Sequence, residues 1–75
     1  MSMMVRRTRT LRPPDVRAIR RRLNLSRVEF AQTYNIPLTM LRTWEDGSRK
    51  IEATSRAYLR LITRQPKLVR EALNK

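Results

Sequence analysis

The sequence predicts an all-α domain of five short helices preceded by a basic arm. Apolar residues recur at three- and four-residue spacing, as they do along one face of a helix. Helix start and stop signals divide the chain at Pro13-Pro14-Asp15, Ser26, Asn35, Asp46-Gly47 and Gln65-Pro66. No stretch alternates like a strand, and no repeat is present. At 75 residues there is room for one domain, and a chain of this size buries only roughly 60% of its unfolded surface, so the core must be small.

Residues 1–12 hold Arg6, Arg7, Arg9 and Arg12 with too little apolar material to pack. They are expected to form a mobile basic arm that orders on a partner, in a DNA minor groove or along an acidic protein surface. The folded unit then spans residues 13–75. Helix 1 is expected from about 14 to 23, because proline tolerates a first turn, Asp15 complements the helix dipole there, and Val16, Ile19 and Leu23 follow at helical spacing. Ser26 with Glu29 forms a capping box for helix 2, which can run only to Tyr34, since Asn35 tolerates the left-handed conformation and Pro37 disfavours helix at Ile36. Helix 3 runs from Leu38 to Glu45 and is closed by Asp46-Gly47. A fourth helix, capped by Thr54 or Ser55, carries Ala57, Tyr58, Leu61 and Ile62 as its apolar seam. Pro66 opens a fifth, with a stripe of Leu68, Val69, Ala72 and Leu73.

Eighteen Lys and Arg against six Asp and Glu give a net charge of +12. Such an excess strains a compact monomer unless a polyanion is its usual partner. The chain has no Cys and no His, so it lacks the commonest metal ligands, any thiol nucleophile and the usual general base. Neither enzymatic chemistry nor a cofactor is expected. A small domain without disulfides suits a reducing cytoplasm, and no apolar run approaches the roughly 20 residues of a membrane span.

Helices 2 and 3, joined by a three-residue turn, meet the demands of a helix-turn-helix unit. Ala31 is small where the helices cross. Asn35 supplies the residue tolerant of positive φ in the turn. Phe30, Tyr34, Ile36, Leu41 and Trp44 take the inward positions, and the aromatic residues among them are expected in the core. On helix 3, Leu38, Thr39, Arg42 and Thr43 face away from Leu41 and Trp44. There Arg42 can pair with guanine O6 and N7, and the other three can touch bases or the thymine methyl. Arg20 lies four residues from Val16 and three from Leu23 on helix 1. It therefore turns inward and needs an acid, whereas Arg21 and Arg22 are solvated.

On Leu23, Leu25 and Ser26 before helix 2, Glu29-Phe30-Ala31 within it, and Leu41, Arg42, Trp44, Glu45 and Gly47 in helix 3 and beyond, the sequence resembles the Xre family of bacterial and phage helix-turn-helix regulators, which includes the lambdoid repressors. The resemblance spans about residues 14–62. It implies a five-helix fold, a DNA-backbone grip by Ser26, Arg27, Ser48, Arg49 and Lys50, and a partly buried pair of Arg20 with Glu45. Two departures stand out. Pro37 replaces the family's usual Ser or Thr, so no hydroxyl is offered to a phosphate, and Arg27 replaces a common Gln, which shifts that contact toward an ion pair.

A shorter likeness, in Leu59-Arg60-Leu61-Ile62, Gln65-Pro66, Leu68-Val69 and Leu73, is to the small HigA-like and MqsA-like antitoxins. It implies a repressor of its own operon that also neutralises a RelE-like or HigB-like ribonuclease toxin. The expectation is thus a sequence-specific transcriptional repressor and antitoxin. It would act as a homodimer on a partly palindromic double-stranded operator, in the cytoplasm with the nucleoid, of bacterial or phage origin. Helix 5, through Leu68, Val69, Ala72 and Leu73, either packs on a twofold mate or only caps the domain. Two alternatives stay open: a phage-type or stand-alone repressor without a toxin, and a basic RNA-binding module for which charge alone suffices.

Overall fold

The computed structural model describes residues 15–74. The expected arm over residues 1–12 and the expected helix start at residue 14 lie outside them. Among the described residues there are five α-helices and no strand. No helix among them is long and apolar enough to cross a membrane.

Helix α1 spans Val16–Arg22, shorter than expected at both ends. Asp15 stands outside it as the N-cap, its carboxylate accepting the Ala18 N–H at 3.2 Å; a short acidic side chain reaches that orphan donor only from the cap position. The helix closes on Asn24, which has φ 63°. The Asn24 N–H donates to the Arg21 carbonyl and the Leu25 N–H to the Arg20 carbonyl, the paired bonds of a Schellman motif.

Helix α2 spans Arg27–Thr33. Its capping box is complete: the Ser26 hydroxyl accepts from the Glu29 N–H at 3.1 Å, and the Glu29 carboxylate accepts from the Ser26 N–H at 2.8 Å. It ends through Asn35, at φ 56°, with the Ile36 N–H donating to the Ala31 carbonyl. Helix α3, Leu38–Asp46, follows Pro37 without a side-chain cap and stops at Gly47, where φ is 79°. Three successive helices therefore stop on a left-handed residue, which satisfies their last carbonyls and redirects the chain within one or two residues.

The two remaining helices, α4 (Ala53–Arg64) and α5 (Pro66–Leu73), differ from the sequence expectation in register. The N-cap of α4 is Glu52, without a side-chain hydrogen bond, so neither Thr54 nor Ser55 caps it. The start is fixed by Ile51, which is buried and whose carbonyl accepts from the Arg56 guanidinium at 2.7 Å. The seam is also corrected. Leu59 and Ile62 are fully buried and Tyr58 packs beside them, whereas Ala57 is exposed and Leu61 is 50% exposed. Two overlapping stripes satisfy helical spacing here, and only contact with the rest of the core selects between them. On α5, Val69 is buried in its own domain and is not free for a partner, while Leu68, Ala72 and Leu73 are exposed.

The core joins Val16 and Ile19 of α1, Phe30 and Ala31 of α2, Leu41 of α3, Leu59 and Ile62 of α4, and Val69 of α5, with Tyr34, Ile36 and Ile51 from the connections. Trp44 is only half-buried against it. The Phe30 and Tyr34 rings lie 5.1 Å apart and tilted, an arrangement that suits aromatic quadrupoles. Burial pushes both Tyr34 and Tyr58 phenols up from their ordinary pKa. Each hydroxyl still finds a carbonyl: Tyr34 donates to Pro66 at 3.0 Å and Tyr58 to Tyr34 at 2.6 Å.

Candidate nucleic-acid interface

Helix α3 presents one side to the core through Leu41 and holds a second contact through Glu45. The Glu45 side chain is 1% exposed and lies among three guanidinium groups. Arg20 of α1 grips it with a fork, Nε to Oε2 at 2.8 Å and Nη2 to Oε1 at 3.0 Å. Arg27 of α2 donates to Oε1 at 3.4 Å. Arg17 lies 3.8 Å from the same oxygen and also donates to the Glu45 carbonyl. A third donor of Arg20 reaches the Leu25 carbonyl, so the guanidinium also ties down the loop before α2.

The fork from Arg20 holds the Glu45 carboxyl below its ordinary pKa, and burial opposes this. The same hydrogen bond raises the Arg20 pKa. Both shifts favour the ionised pair, which fixes α1 and the start of α2 to α3. Arg17 was not singled out from the sequence. Its spacing, three residues before the inward-turned Arg20, was the signal that could have found it. With one carboxylate among three cations, this flank of α3 keeps a surplus of positive charge.

The four residues expected to read bases do not share one environment. Thr39 and Arg42 are exposed. Leu38 does not face outward as expected: it is half-buried and packs on the core, because it lies three residues before Leu41 and shares its side of α3. Thr43 is half-buried, and its hydroxyl donates to the Met40 carbonyl at 2.7 Å. Met40, which the sequence reasoning passed over, is 38% exposed and joins the outer surface.

The expected backbone-gripping residues border this helix. Ser26 is exposed, with its oxygen already accepting the Glu29 N–H, and Arg27 is half-exposed beside Glu45. After α3, Ser48 donates from both its N–H and its hydroxyl to Asp46 Oδ1, which holds the Asp46 carboxyl below its ordinary pKa and fixes the turn at Gly47. Arg49 and Lys50 are exposed. With Met40, Trp44, Glu52 and Ser55 they line a recess of about 170 Å³. Arg27, beside Glu45, and Arg49 with Lys50, in the loop after α3, thus lie around the exposed Thr39, Met40 and Arg42. An exposed helix surface bordered by cations can sit against an anionic, grooved ligand.

No protein-family model, no curated protein and no solved structure matches this chain.

Proposed function

We propose that the protein is a sequence-specific DNA-binding repressor in which α2 and α3 act as a helix-turn-helix unit and α3 enters the major groove. The observation that carries this reading is an α3 anchored on its inner side by Leu41 and Glu45 while Thr39 and Arg42 stand free on its outer side. Arg42 would pair with guanine O6 and N7, and Thr39 would contact a neighbouring base. Arg27, Arg49 and Lys50 would neutralise phosphates, with Ser26 and Ser48 at the same edges. One such helix offers few base contacts, so we propose a homodimer with half-sites about 34 Å apart, one turn of duplex. Leu68, Ala72 and Leu73 are its candidate contacts. The resemblance to small antitoxins further supports an autorepressor that binds a ribonuclease toxin.

Selection of tight binders from a random duplex pool tests this reading. A partly palindromic site should emerge, and Arg42→Ala should weaken it by about 1 to 3 kcal/mol while affecting random duplex much less. Equal affinity for the selected duplex, random duplex, single strands and RNA would replace this reading with a basic RNA-binding module.

A further inference from the structure

A second basic feature lies away from α3. Arg22 of α1 and Arg60 and Arg64 of α4 border a groove of about 280 Å³ with Ala18, Ile19 and Thr63 along it. Ala18 and Arg22, four residues apart, share one flank of α1. Arg17 and Arg20, three apart, share the opposite flank, where they hold Glu45. The groove and the Glu45 cluster are therefore on different sides of the same helix. On the far side of Arg60 and Arg64, the half-exposed Leu61 lines a shallower depression with Ala57. The two arginines thus stand as a ridge between two apolar strips.

Among the described residues, no carboxylate forms an ion pair with Arg22, Arg60 or Arg64. Of the chain's six acids, Asp15 caps α1, Glu29 completes the capping box of α2, Glu45 lies among arginines, and Asp46 holds Ser48. Glu52 and Glu71 alone remain. Asp15 lines one end of the groove, where its Oδ1 accepts the Ala18 N–H, and no ion pair joins it to Arg22, Arg60 or Arg64. Residues 1–14 contain no acid at all, so that segment offers no complementary cluster, and a second copy brings only the same six acids, four of them already engaged. A sugar-phosphate backbone would satisfy the arginines through its phosphates, but it carries no aliphatic side chain to settle over Ala18 and the exposed edge of Ile19.

We propose that this groove docks a segment of an acidic protein partner. The partner's carboxylates pair with Arg22, Arg60 and Arg64, and one of its apolar side chains settles over Ala18 and the edge of Ile19. The inference does not need α3 to bind DNA. Because the groove and the Glu45 cluster that anchors α3 lie on different flanks of α1, a partner in the groove leaves that anchor in place.

The test is a titration of the ¹⁵N-labelled full chain with a synthetic amphipathic peptide of Glu, Asp and Leu, beside a control peptide in which Ser replaces each Leu, and a random-sequence duplex. The Leu-containing peptide should shift the Ala18 and Thr63 amides and bind more tightly than its Ser control. Arg60→Glu with Arg64→Glu should weaken it by about tenfold or more, as loss of two ion pairs with added repulsion requires. Both arginines are exposed, so this variant should melt as the parent does. Ala18→Trp, which fills the groove without changing charge, should also weaken the peptide. Equal binding by the two peptides, shifts spread over every basic face, or duplex-induced shifts at Ala18 and Thr63 would each overturn the proposal. Failure of duplex to shift Thr39 and Arg42 would instead count against the DNA-binding reading alone.

Discussion

The stretch from Asp15 to Ser48 and the stretch from Glu52 to Asn74 are held by different means. In the first, most helix ends are fixed by local chemical devices: carboxylate and hydroxyl caps at Asp15 and Ser26, and left-handed stops at Asn24, Asn35 and Gly47. A four-membered ionic cluster then locks α3 in place. In the second, neither helix has a side-chain cap. Their positions follow from burying Leu59, Ile62 and Val69 and from the two tyrosine hydroxyl bonds. The first half is specified residue by residue, and the second by the fit of its apolar surface to the first.

The largest effect that would test this contrast is at Glu45. Glu45→Ala strands the mostly buried Arg20 and should destabilise the fold by about 3 to 5 kcal/mol in urea unfolding. A loss of less than about 1 kcal/mol would make the cluster no more than a surface network. The same pair sets a pH dependence. Because the folded-state pKa of Glu45 is depressed, its contribution is complete above the ordinary value of 4.5 and is lost as pH falls through the lower folded-state value. The stability gap between parent and Glu45→Ala should therefore narrow in acid below that point.

In the second half, Leu59→Ala should cost about 2 to 5 kcal/mol by leaving a cavity. Leu61→Ala should stay within about 0.5 kcal/mol. The reverse order would restore the seam expected from the sequence. At the turn before α3, Asn35→Ala should cost about 1 to 2 kcal/mol, since an ordinary Cβ resists the left-handed region, while Asn35→Gly should be nearly neutral. The smallest contrast is between caps. Ser26→Ala should lower stability by about 1 kcal/mol, and Thr54→Ala, which removes no cap, should leave the melting temperature unchanged.

The same contrast decides how much was legible in the sequence. Ser26 with Glu29, Asn35 and Gly47 could be placed because few residue types meet the geometry they serve. Asn24 was not placed as a helix stop, although its left-handed φ follows the same logic. In α4 the sequence allows either Ala57, Tyr58, Leu61 and Ile62 or Ser55, Tyr58, Leu59 and Ile62 to face inward, and no local rule separates them. The misplaced Leu38 is a different case. Three residues before Leu41, it shares that residue's side of α3 and packs on the core. The spacing that says so is present in the sequence, although Leu38 was expected to face outward. Within the candidate site, the part of Arg20 was legible because an inward charge demands a partner. Arg17 and Met40 were not singled out, since a half-exposed cation and a half-exposed thioether carry no comparable demand.

Tyr34 closes α2 and is also the point where α4 and α5 attach: its carbonyl accepts from Tyr58 and its hydroxyl donates to Pro66. Local opening of the first turn of α5 must therefore break a bond made by the residue that leads into the Asn35 turn. In hydrogen exchange, the amides at the end of α2 and at the start of α5 should then behave as one cooperative unit, opening with a shared free energy despite their separation in sequence. Tyr34→Phe would divide that unit in two, raising exchange near Val69 while leaving the capping box at Ser26 protected.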